Sequence, residues 1–165
     1  MTSPIIFAVV VTFAVLGVGG ATTKVGDWYR GLRKPPWNPP GWVFAPAWTI
    51  ILGLAAAAGV IAWERAGSAA DHTRIGVLFG VNIVFHLLWS PLFFAWKRPD
   101  WALAEVPFLW LSILALIVGL APLSSLSSLL LAPYLAWVSF ATFLNLTIVR
   151  MNAPFDRRAV TGSNP

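Results

Sequence analysis

Residues 28–48 read Trp28-Tyr29-Arg30-Gly31-Leu32-Arg33-Lys34-Pro35-Pro36-Trp37-Asn38-Pro39-Pro40-Gly41-Trp42-Val43-Phe44-Ala45-Pro46-Ala47-Trp48. Pro35, Pro36, Pro39 and Pro40 fix their own φ and bias the residues before them toward extended backbone. Trp28, Tyr29, Trp37 and Trp42 add flat apolar faces, and Arg33 and Lys34 add charge suited to a carboxylate. Such a stiff segment loses little conformational entropy on closing over a ligand. The simpler alternative is a rigid connector carrying an interfacial aromatic belt.

On either side of this stretch the chain is apolar. Of 165 residues, 58% are hydrophobic and 10% charged, against about 25% charged in a soluble domain. Five runs approach the roughly 20 apolar residues a membrane-spanning helix needs: 4–21, 42–63, 75–96, 101–120 and 129–149. None alternates as a barrel strand would. The expected fold is therefore an all-α, five-helix transmembrane bundle over residues 1–151, followed by a polar tail at 152–165. No Lys or Arg precedes the first run, so it reads as a retained span and not as a cleaved signal.

The net charge of +5 would suggest nucleic acid in a soluble protein, but here the cations sit between spans. Lys24, Arg30, Arg33, Lys34, Lys97, Arg98, Arg150, Arg157 and Arg158 fall on one side of the bundle, and Arg65 and Arg74 on the other. Nine against two sets the first loop and the C-terminus in the cytoplasm and the N-terminus outside. Apolar helices point to a bacterial inner membrane in preference to an outer one. The chain has no cysteine, which removes disulfides and thiolate chemistry. No Walker loop, nucleotide fingerprint or metal spacing occurs, and no metal or resident cofactor is expected.

Within the spans, polar and aromatic residues recur at helical spacing. Phe44, Trp48 and Leu52 share a face. Asn82, His86 and Ser90 form a polar stripe that should face the bundle interior. His86 without carboxylate or thiol neighbours suits a hydrogen-bonded residue better than a metal ligand. Tyr134, Trp137, Ala141 and Asn145 follow i, i+3, i+7, i+11, one face of a helix; ordinary packing, with Asn145 bonded across helices, explains them as well as a ligand wall does. Gly76 and Gly80 make a GxxxG pair for a tight crossing, within the bundle or between protomers. Glu105, one turn inside its segment, is expected to reach water or Lys97 and Arg98. Pro91 and Pro107 should bend their helices.

Taken together, Trp28-Tyr29-x-x-Leu32-x-Lys34-Pro35-x-Trp37-x-Pro39-Pro40-x-x-x-Phe44-x-x-x-Trp48 resembles the signature of the TspO/MBR family, the bacterial tryptophan-rich sensory proteins and the mitochondrial translocator protein or peripheral benzodiazepine receptor. Trp89-Ser90-Pro91-x-Phe93-Phe94 and Pro133-Tyr134-x-x-Trp137 to Leu144-Asn145 continue the likeness. The resemblance implies a homodimer of five-helix bundles. It also implies a cavity beneath the first loop for porphyrins such as protoporphyrin IX and, in some members, sterols and benzodiazepine-type drugs. Porphyrin enters as ligand, not cofactor. The resemblance assigns Trp48 and Trp137 to porphyrin binding or its photo-oxidative breakdown, as candidate redox residues, and matches the loop at Trp28, Lys34, Trp37 and Asn38. Phe44, His86, Trp89, Tyr134, Ala141 and Asn145 complete the expected ligand-binding set, and Gly76 and Gly80 the dimer interface. Three positions depart from the pattern. Leu52 replaces a common Tyr, His86 a common Asn, and Leu146 the aromatic of the sterol motif, which weakens a sterol reading. Three outputs stay open: a transporting or stress-sensing tetrapyrrole receptor, a light- and oxygen-dependent porphyrin-degrading activity, and a dimeric scaffold.

Overall fold

The computed structural model describes residues 2–155; most of the tail, with Arg157 and Arg158, lies outside the described residues. Five helical stretches are long and apolar enough to cross a membrane. They are built from α1 (Thr2–Thr22), α3 (Gly41–Arg65), α4 (Ala69–Ser90) with a π-helical turn (Pro91–Ala95), α5 (Pro99–Leu120), and α6 (Ser125–Leu130) with α7 (Ala132–Asn152). A short helix, α2 (Asp27–Gly31), lies in the first loop. The all-α bundle expected from the sequence is the fold observed.

The helix ends differ from expectation for local reasons. α4 starts six residues early because Ser68 caps it: its Oγ accepts from Asp71 N at 3.1 Å and donates to the Asp71 carboxylate at 2.8 Å. Arg74 then pairs with Asp71 at 2.9 Å. This polar first turn is helical by capping, not by apolar periodicity. Ser124 caps α6 in the same way, accepting from Ser127 N at 3.1 Å, so the last span begins before the expected residue 129. Pro91 cannot donate to the Leu87 carbonyl, and the helix widens directly after it. Trp96 N donates to Pro91 O and Arg98 N to Leu92 O. That second bond is one residue wider than the usual helix-closing one. Lys97 turns the chain with φ 56°, a left-handed conformation that is uncommon outside glycine.

α5 is the central helix, flanked by α4 and α7. Ala102, Val106, Leu109, Ile113, Leu116 and Leu120 are all buried on it. α3 buries Ala55, Ala58 and Ala62, the small-residue packing typical of membrane helices. Gly59 lets Phe79 approach closely, since a Cβ there would meet the ring at 3.2 Å. α1 packs against α3 and α4, yet Val15 is its one buried residue among those described. Large outward side chains such as Phe7, Phe13, Ile50 and Leu129 face where lipid chains would lie.

Two sequence expectations change here. Glu105 does not reach water or the Lys97–Arg98 turn: it is 6% exposed, and neither carboxylate oxygen has a hydrogen-bond partner. Arg98 instead grips Asp100. Gly76 and Gly80 mark no crossing inside the bundle, because a Cβ at either would meet nothing.

Candidate functional site

Trp48, on α3 two turns in from its start, is the hub of an aromatic cluster. Its ring meets three others edge to face: His86 at 4.9 Å and 81°, Tyr134 at 6.1 Å and 83°, and Trp137 at 6.3 Å and 84° between centroids and planes. Edge-to-face is a favoured aromatic geometry. Phe44 meets Trp137 at 5.9 Å, and Phe140 meets Trp137 at 5.7 Å. Helical spacing put Phe44 with Trp48, and Tyr134 with Trp137; only the packing of α3 against α4 and α7 joins the pairs around His86.

Polar atoms in the cluster form a chain. His86 Nδ1 lies 2.9 Å from Tyr134 Oη, and Tyr134 Oη lies 3.4 Å from Asn82 Oδ1. Asn82 Nδ2 donates to Ser112 Oγ at 2.9 Å, and Ser112 donates to Leu109 O at 2.7 Å. His86 is thus a hydrogen-bonded residue, and no cluster of metal-binding side chains occurs among the described residues. Trp137 Nε1 is buried without a partner, a donor left open inside the cluster. A groove of about 440 Å³ runs between α3 and α7, lined by Ala47, Ile50, Ile51, Pro133, Ala136, Trp137 and Phe140. Trp137 and Phe140 belong to both groove and cluster, whereas Trp48 does not line the groove. Ala141 is half-buried one turn beyond Trp137.

Other expected site residues lie elsewhere. Trp89 stacks on Phe93 at 5.0 Å, and Trp28 and Tyr29 meet the same Phe93 ring. They join the first loop to the π-helical turn as a second aromatic group. Asn145 is 2% exposed and faces the start of α5. With its amide oriented to suit both neighbours, it donates to Pro99 O at 3.1 Å and accepts from Leu103 N at 3.2 Å. The polar stripe splits likewise, because Ser90 turns to α1 and meets the Thr22 and Thr23 hydroxyls at 3.1 and 2.9 Å.

The first loop is held from both sides. Lys34 Nζ donates to the carbonyls of Tyr29 at 2.6 Å and Leu32 at 3.1 Å and lies 4.4 Å from the Tyr29 ring centre. It therefore closes the C-terminus of α2, where a cation is favoured. Partial burial pushes this ammonium below the ordinary lysine range and the Tyr29 hydroxyl above its own, since desolvation disfavours each charged form. Arg33 and Asn152 exchange two bonds of 2.8 Å, Arg33 N to Asn152 Oδ1 and Asn152 Nδ2 to Arg33 O. Trp37 stacks on Phe143 of α7 at 5.4 Å and 18°. Asn38 Nδ2 donates to Pro39 O at 2.9 Å, while its Oδ1 is buried without a partner. Asn152, Phe140 and Phe143 were not singled out by sequence, although Phe140 sits at i+3 from Trp137.

These features define a class: a polytopic helical membrane protein whose first loop is tied to the end of α7 and whose second, third and last spans meet in an aromatic cluster. The chain belongs to the TspO/MBR family, whose pattern it matches over residues 6–151. It is 38% identical over 146 residues to the tryptophan-rich protein TspO of Chlorobaculum tepidum, covering 83% of this chain and 89% of that one. It is 37% identical over 133 residues to the tryptophan-rich sensory protein of Cereibacter sphaeroides, covering 81% and 82%. The human translocator protein is 32% identical over 126 residues, covering 76% and 75%.

Proposed function

We propose that this protein is a membrane receptor or translocator for porphyrin-type tetrapyrroles, with a transport or stress-sensing output. The observation that carries the reading is the convergence of Phe44, Trp48, His86, Tyr134 and Trp137 from three helices beside a groove. Its volume of about 440 Å³ falls within the roughly 300–1,000 Å³ of small-molecule sites. A flat macrocycle suits ring faces and the apolar walls of α3 and α7. Arg33 and Lys34 offer charge to its propionates, Lys34 by exchanging carbonyl partners for a carboxylate. In this reading the loop faces the cytoplasm of a bacterial inner membrane.

Titration with protoporphyrin IX tests the proposal through tryptophan fluorescence. Saturable quenching is expected in the wild type. Ala136→Phe, which fills the groove from its lining, is expected to weaken it by about tenfold or more, the equivalent of roughly 1.4 kcal/mol. Quenching that is equal in the two proteins contradicts the groove as the site.

A second reading, light- and oxygen-dependent breakdown of the bound porphyrin, is favoured by the direct contact of Trp48 and Trp137. Under illumination, porphyrin absorption bands should then bleach faster in the complex than in free porphyrin. The exposed, uncontacted Gly76 and Gly80 support a homodimer through α4, since small residues let helices approach closely. Gly80→Leu is then expected to yield a monomer by light scattering in detergent; an unchanged dimer moves the interface off this face.

A further inference from the structure

We propose that Tyr134 and His86 form a redox pair that fills an electron hole on Trp48, so that oxidising equivalents in the cluster end on Tyr134 and do not stay on tryptophan. The inference needs the porphyrin reading above only for the source of the oxidant.

Three facts carry it. Tyr134 is 1% exposed, so its hydroxyl proton has no solvent to leave to. Its oxygen lies 2.9 Å from His86 Nδ1, within the reach of a positioned base, and the neutral imidazole tautomer that carries its proton on Nε2 accepts at Nδ1. The Trp48 ring meets both partners edge-on, at 4.9 Å from His86 and 6.1 Å from Tyr134. The other polar neighbours do not compete for the proton. Asn82 Oδ1 can accept the Tyr134 hydroxyl proton in a longer bond of 3.4 Å, but it belongs to an amide, which is too weak a base to take that proton away. Glu105 is hydrogen-bonded to nothing.

A photo-excited tetrapyrrole in the groove takes one electron from Trp137, which lines it, and Trp48 refills Trp137 across their ring contact, leaving a radical cation on Trp48 and a tetrapyrrole radical anion. Tyr134 gives one electron to Trp48 while its O–H bond breaks and the proton moves to His86 Nδ1. Trp48 is restored, and a neutral tyrosyl radical stands beside an imidazolium. Dioxygen takes the electron from the tetrapyrrole anion and becomes superoxide. Return of one electron to Tyr134 from that superoxide, which goes back to dioxygen, together with the proton from His86, resets the pair. Where a relative carries Asn at this helix position, no base stands beside the phenol, so the pair is a property of this chain's His86.

The test separates the pair from the pocket. The chain has two tyrosines, and Tyr29→Phe leaves Tyr134 alone. In that background a water-soluble ruthenium polypyridyl photo-oxidant generates tryptophan radicals without any porphyrin, and electron paramagnetic resonance reads the species trapped on freezing. A tyrosyl signal is expected, with hyperfine splitting that narrows in deuterated buffer through the exchanged His86 proton. Adding His86→Asn should abolish the tyrosyl signal and leave the tryptophanyl one; adding Trp48→Phe should lower the tyrosyl yield. A tryptophanyl signal alone in the Tyr29→Phe protein, or a tyrosyl signal unaffected by His86→Asn and by deuteration, overturns the proposal. The deuteration result needs no further variant to fold. Protoporphyrin IX under light should produce the same radical. Radical formation with ruthenium but not with porphyrin supports the pair and overturns the pocket reading.

Discussion

Replacing Trp48 and Trp137 together by alanine is expected to weaken porphyrin binding by about a hundredfold. Truncating one central aromatic anchor of a binding site commonly costs about 2 kcal/mol or more, and each 1.4 kcal/mol is tenfold in affinity. Full additivity would give about a thousandfold. The two rings touch, with centroids 6.3 Å apart, so removing one already disturbs the other, and contacting residues do not add. Trp137 lines the groove and Trp48 supports it from behind, so the single substitution of Trp137 should cost more than that of Trp48. Equilibrium titration of the two single variants and the double measures all three effects. Phenylalanine at both positions should recover part of the affinity, because a ring face returns without the indole N–H. Affinity unchanged in the alanine double variant would remove the cluster from the binding site.

Glu105→Leu is expected to stabilise the bundle by about 1–3 kcal/mol, the usual cost of burying a polar group without a hydrogen bond. Glu105 is the one buried carboxylate among the described residues. It is set on the central helix among Ala102, Val106 and Leu109, and neither of its oxygens is satisfied. Either protonation state leaves at least one oxygen unpartnered. Leucine fills similar volume and asks for nothing, while Glu105→Gln keeps the fault by burying an amide. Thermal unfolding in detergent should therefore rank leucine above wild type, with glutamine close to wild type. A leucine variant that melts lower would mean that the carboxyl has a partner which packing alone does not reveal. A group retained at this cost in the core commonly has a use outside stability.

Apolar run length was enough to find the five spans, because a bilayer demands about 20 residues whatever they pack against. It missed what polar residues do at helix ends. Ser68 and Ser124 start helices by capping, and the turns they begin are too polar for a hydropathy window. In the site, legibility followed helical spacing. Phe44 and Trp48, and Tyr134 and Trp137, were readable as pairs because i+4 and i+3 neighbours share a face. Asn145 lies on that same idealised face yet bonds to α5, because α7 packs against two helices and a single stripe serves both. Lys34 was read as a free charge for a ligand. A lysine a few residues past a short helix can instead turn back on that helix's own carbonyls, and composition does not separate the two uses. Trp37 likewise has several aromatic surfaces within reach, and only the path of the loop selects Phe143.

The sparse side-chain burial of α1 has a consequence for how this chain tolerates change over generations. With Val15 its one buried side chain among those described, most of α1 is asked only to be apolar and helical. Exchanges among Val, Ile, Leu, Phe and Ala there should pass almost unfiltered. α5, with Ala102, Ile113, Leu116 and Leu120 at 0% exposure, has no such freedom, since one methylene too many or too few is felt in a packed interior. Sequences descended from a common ancestor should therefore drift fastest in their first span and slowest in their fourth. A library randomised over apolar residues in α1 should keep most of its members folded, where the same library in α5 would lose most of them.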